Sequence, residues 1–112
     1  MIGGVHIVIS SKNPEADSAF LRDVLAFRFV DAGNGRLIFA LPRAEAGIHA
    51  AETSGRHEMY LQCDNVAAEV AALRAKGVQC ADVVDTGWGL LTKFALPGGG
   101  EIQLYQPKHA QP

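Results

Sequence analysis

The sequence predicts an α+β fold made of two βαβββ modules, whose strands form a curved mixed sheet around a cup with the helices on its convex face. Three observations carry this. Each half of the chain has one capped helical stripe. In each half a short alternating run precedes the helix, and three strand-like runs broken by turn residues follow it. A polar residue able to bind a metal also stands at the same two places in each half: His6 and Glu58 in the first run, His49 and Gln103 in the last.

In the first half, Val5, Ile7 and Ile9 alternate with His6 and Val8, the pattern of a half-buried strand. Asn13 is a good N-cap and Pro14 suits the first helical position. Glu15 and Asp17 complement the positive end of the helix, and Ala16, Phe20 and Val24 recur every fourth residue beside Leu21. Strand-like runs follow at Phe27 to Val30, Leu37 to Leu41 and Gly47 to Ala51, the first two joined by an Asn34-Gly35 hairpin turn. In the second half, Met59, Leu61 and Cys63 alternate with Glu58, Tyr60 and Gln62. Asp64 or Asn65 caps a helix with Val66, Val70 and Leu73 on one face, and Gly77 ends it. Runs at Val78 to Val84, Leu90 to Leu96 and Glu101 to Tyr105 complete the copy.

Strand alternation selects the site. If Met59, Leu61 and Cys63 pack under the helix, Glu58, Tyr60 and Gln62 face away from it. By the same phase Ile102 and Leu104 leave Glu101, Gln103 and Tyr105 on the far face. Ile48 and Ala50 leave His49 there, and Ile7 and Ile9 leave His6. A β-bulge that shifts the register would bring His57 in place of Glu58. Trp88, between Gly87 and Gly89, either lines the mouth of the cup or covers the core. The run Gly98 to Gly100 is a turn before the last strand and lacks the continuation of a phosphate loop.

Composition fits a single domain over residues 1–112, with module one at about 1–54, module two at about 55–107 and a polar tail at 108–112. A chain of 112 residues, 48% of them hydrophobic, is long enough to bury roughly two-thirds of its unfolded surface. The net charge of −2 and scattered basic residues argue against nucleic-acid binding. The amino terminus has no charged stretch leading into an apolar core, and no run approaches a bilayer span, so a cytoplasmic protein without membrane attachment is expected. Cys63 and Cys80 lack metal-finger spacing and read as buried free thiols. The tail is expected to fray, with His109 solvated.

With these residues in place, the chain resembles the glyoxalase/bleomycin-resistance/dioxygenase family, the vicinal oxygen chelate (VOC) superfamily. The likeness rests on the strand bearing His6 with Phe20 beyond it, and on Cys63-Asp64-Asn65-Val66-Ala67-Ala68-Glu69 leading to Leu73-Arg74-Ala75-Lys76-Gly77. It rests also on the closing Leu96-Pro97-Gly98-Gly99-Gly100-Glu101-Ile102-Gln103-Leu104-Tyr105-Gln106-Pro107, which looks like the family's D-P-x-G-N-x-I-E-L. The resemblance implies metal ligands at His6, His49, Glu58 and Gln103. Two of these depart from the family's usual carboxylates (His49 and Gln103), and Glu58 stands at a usual histidine. A set of two imidazoles, one carboxylate and one amide suits a divalent zinc, nickel, cobalt or ferrous ion.

By that resemblance the expected function is a metal-dependent lyase, isomerase or dioxygenase acting on a small substrate with vicinal oxygens. Glu58 is then the catalytic base, since the Gln103 amide cannot accept a proton from carbon. Tyr60, Trp88, Glu101 and Tyr105 are the expected substrate contacts. The alternative is a metal-free protein that sequesters a small molecule in the same cup, as bleomycin-resistance members do. The resemblance implies a homodimer, with the site inside one chain or across two.

Overall fold

The structure, a computed structural model, describes residue 4 and residues 6–112. Its order is α1 (Pro14–Asp23), β1 (Phe29–Asp31), β2 (Leu37–Phe39), β3 (Tyr60–Gln62), α2 (Val66–Ala75), β4 (Val84–Asp85), β5 (Gly89–Ala95) and β6 (Glu101–Pro107). Both helices begin as their caps dictate. The Asn13 side chain accepts from the Ala16 N–H at 3.2 Å, and the Asn65 side chain, rather than that of Asp64, accepts from Ala68 N–H at 3.1 Å. At the end of α2, Gly77 takes φ +83°, a left-handed geometry in which its N–H reaches the Arg74 carbonyl and the Val78 N–H reaches that of Leu73.

The second half realises the βαβββ plan in full. Its four strands form one mixed sheet in the order β3-β6-β5-β4, with β3 parallel to β6 and the other pairs antiparallel. Parallel pairing of β3 with β6 needs a long crossover, which α2 and the β4-β5 hairpin supply. The edge strand β4 is shorter than the predicted run of 78–84, with Cys80 contributing one further bridge to Phe94.

The first half departs from the prediction at both ends. Its hairpin β1-β2 forms as a separate two-stranded antiparallel sheet around the Gly33-Asn34-Gly35 turn. Among the described residues neither 6–9 nor 47–51 forms a strand, and Ile48 is 96% exposed. Val5 lies outside the described residues. Alternation makes a segment suited to a sheet, yet a strand exists only where a neighbour completes its hydrogen bonds. No ladder joins these two segments to each other or to the hairpin.

The helices pack on one side of the four-stranded sheet. Leu21 of α1 and Val66, Val70 and Leu73 of α2 bury against Phe94, Leu96, Ile102 and Leu104, with Phe20 and Val24 packed at the margin. Phe20 stacks on Phe94 with ring centroids 5.9 Å apart. Lys76, at the end of α2, reaches the free Val24 carbonyl at the end of α1 at 2.9 Å, a cation on a negative helix terminus. Cys63 and Cys80 are free thiols, as expected, and burial pushes the Cys63 thiol above its ordinary pKa. No helix among the described residues is long and apolar enough to cross a membrane.

Candidate functional site

The sheet face turned away from the helices is polar and aromatic, and its rows follow from strand register. Tyr60, Gln103 and Lys93 stand abreast on β3, β6 and β5, and Gln62, Tyr105 and Leu91 form the next row. Between them Leu61, Leu104 and Thr92 point toward the helices. Tyr60, Gln62, Gln103 and Tyr105 therefore share one face, as the alternation required.

Beside the first row lies an open pocket of about 340 Å³, lined by His57, Glu58, Met59, Lys93, Glu101 and Gln103. Its polar groups are paired. The Tyr60 hydroxyl donates to Glu58 Oε2 at 2.9 Å, Arg56 approaches Glu58 Oε1 at 3.3 Å, and Lys93 Nζ lies 3.5 Å from Glu101 Oε2. Burial, seconded by the Glu58 carboxylate, raises the Tyr60 pKa, so the phenol keeps its proton and remains a donor. Glu58→Gln should bring the spectrophotometric titration of Tyr60 to lower pH, because it removes the negative charge opposing phenolate while the burial remains. An unchanged titration would show that the two side chains do not meet in solution.

The second row carries three aromatic rings in edge-to-face contact. Tyr105 lies 5.7 Å from Tyr60 and 5.5 Å from Trp88, and Tyr60 and Trp88 are 6.2 Å apart, all at steep interplanar angles. Trp88 reaches this position from the bend before β5, and Gly89 lets it do so. A Cβ on Gly89 would lie 2.9 Å from the Gln106 carbonyl and 3.2 Å from the Tyr105 ring. Trp88 thus sits on the site face and does not cover the helix-side core.

The structure brings together Glu58, Glu101 and Gln103 in the pocket, with Tyr60, Tyr105 and Trp88 beside them. It does not bring His6 or His49 to them. Both histidines are exposed on the segments that found no sheet neighbour, and neither lines the pocket. Among the described residues no three His, Cys, Asp or Glu side chains are placed to hold a metal ion. The proposed donor set therefore does not fit a divalent ion within one chain, because its two imidazoles depend on pairing that the first module lacks.

Lys93 was missed from sequence. Its phase follows from Thr92 and Phe94, both buried, although the adjacent pair Leu90-Leu91 blurs the alternation. His57 lines the pocket together with Glu58, so the two alternatives weighed for one position both reach it. The tail also differs from expectation. Lys108 is held by Asp85 at 2.8 Å, His109 Nε2 lies 3.3 Å from the Tyr105 hydroxyl, and the Gln111 amide donates to Gln62 Oε1 at 2.8 Å.

This fold is that of the glyoxalase, bleomycin-resistance and fosfomycin-resistance proteins, the VOC superfamily. A lactoylglutathione lyase from Agrobacterium tumefaciens superposes with a TM-score of 0.69 at 15% identity, over 93% of this chain and 92% of that one. TnmS3, an antibiotic binding protein from Streptomyces sp. CB03234, does so with a TM-score of 0.63 at 25% identity, over 92% of this chain and 100% of its own. The genomically encoded fosfomycin resistance protein of Listeria monocytogenes gives 0.61 at 16% identity, over 96% of each chain. No family model matches the sequence, and no curated protein does.

Proposed function

We propose that the chain binds a small planar molecule bearing polar substituents on the helix-distal face of β3, β6 and β5, and sequesters it. One observation carries this reading: the three-ring cluster of Tyr60, Tyr105 and Trp88 borders, on the same sheet face, a pocket of carboxylates, an amide and an ammonium. Rings supply a flat apolar contact, while Glu58, Lys93, Glu101 and Gln103 supply donors and acceptors that orient a ligand. The antibiotic-binding neighbour lends support, as does the wide separation in character between this polar wall and the exposed histidines. Two free thiols accord with a cytoplasmic setting.

A second reading has one observation in its favour, namely that Glu58 and Gln103 line one pocket. In it a second copy of the chain, in the homodimer the resemblance implies, would contribute His6 and His49 to a divalent metal, and the protein would be a lyase or isomerase with Glu58 as base.

The sole tryptophan of the chain, Trp88, reports on the site directly. Titration with dihydroxynaphthalene, a planar probe with paired oxygens, should quench its fluorescence saturably. Tyr60→Ala should weaken binding roughly tenfold through loss of one aromatic contact. Absence of saturable quenching would sink the binding reading. One metal ion per chain in protein purified without chelator, lost in His6→Ala, would establish the second reading in its place.

A further inference from the structure

Two coil segments far apart in sequence meet over the second row of the site. From the connection between the modules, Glu45 Oε1 accepts from the Gln62 amide, and from the tail the Gln111 amide donates to Gln62 Oε1 at 2.8 Å. The two segments also touch each other, with Arg43 donating to Gln111 Oε1 at 3.2 Å. The Gln62 amide nitrogen donates in addition to the Tyr105 hydroxyl at 2.7 Å, and His109 lies on the other side of that hydroxyl. Gln62 thus has both ends of its side chain engaged, by two strands of coil and by one ring of the aromatic cluster. With Pro112, these residues enclose a cavity of about 60 Å³, far smaller than the neighbouring pocket.

We propose that residues 43–45 and 109–112 form a single strap, latched at Gln62, that closes one end of the ligand face and opens to admit a ligand onto Tyr105. This rests on the binding reading above for what the strap admits, though the latch itself stands on the hydrogen bonds alone. The anchoring supports a moving part of limited extent. Lys108 is fixed by Asp85 and by its own N–H to the Trp88 carbonyl, while the residues beyond it are exposed and held by side-chain bonds that water can replace. Because one amide serves both segments, release of either removes a partner from the other, so the two open together. A ligand that needs the Tyr105 hydroxyl or the Gln62 amide competes with the strap for them, and its apparent affinity is reduced by the closed fraction.

Arg43 and Lys108 place one tryptic site on each segment, which makes the coupling measurable without a ligand. In Gln62→Ala, cleavage after Arg43 and after Lys108 should accelerate together. Gln111→Ala, which leaves the sheet untouched, should also accelerate both and should raise the association rate and affinity for dihydroxynaphthalene by about two- to tenfold, the worth of one net hydrogen bond. If either variant leaves both sites as protected as in the wild type, or frees one alone, the strap is overturned. If both sites are freed while probe binding by Gln111→Ala is unchanged or weaker, the strap does not gate the face. Should both sites be freed while neither wild type nor variant binds the probe, the latch stands and the binding reading fails.

Discussion

Ile102→Ala should lower the unfolding free energy by about 2–5 kcal/mol, the range for removing a fully buried aliphatic side chain. Ile102 is 1% exposed, at the centre of β6, and lies opposite Phe94 in the ladder. It sits in the cluster that α1 and α2 both cover, so the cavity would open where neither helix can settle without leaving the other. The same truncation at the exposed Val84 should change stability by no more than about 0.5 kcal/mol. Denaturant unfolding of both variants measures the contrast, and equal losses would refute the placement of the core.

Gly98→Ala should cost about 1–3 kcal/mol through overpacking, a large effect for one methyl group. The Gly98 N–H donates to Asp17 Oδ1 at 2.7 Å, which docks the turn before β6 onto the first turns of α1. A Cβ at this position would run into Ser11 Oγ and lie 2.9 Å from Asp17 Oδ2. Ser11 has little freedom to yield, because its Oγ accepts the Asn13 N–H at the helix cap. Asp17 is only 7% exposed and its Oδ2 has no protein partner, so displacing it strands a buried carboxylate further. Asp17→Asn, which keeps the acceptor and turns the orphan oxygen into an amide, should cost less than Asp17→Ala. A Gly98→Ala protein as stable as the wild type would show that the turn does not rest on α1.

Local rules carried the reading far where the signal was local. The caps at Asn13 and Asn65, the C-terminal Gly77 and the stripes of Val66, Val70 and Leu73 needed only neighbours within a few residues, and all appear in place. Alternation was enough to assign Glu58, Tyr60 and Gln62 to one face and Glu101, Gln103 and Tyr105 to the same face. The parallel pairing of β3 with β6 then set them side by side. Lys93 escaped because two leucines in a row concealed the phase, and Gln62 was placed on the right face with no hint of the segments it would gather.

By itself the sequence determined the helices, their caps, the apolar stripes and the side of each strand on which a residue falls, because these depend on spacing along the chain. Only the tertiary structure decided which strands found partners. Residues 6–9 and 47–51 alternate as well as 58–63 do, yet only the last includes a paired strand, and the two histidines remain apart from Glu58 and Gln103 for that reason. A backbone hydrogen bond between segments tens of residues apart depends on a whole arrangement of neighbours. No pattern within either segment encodes it.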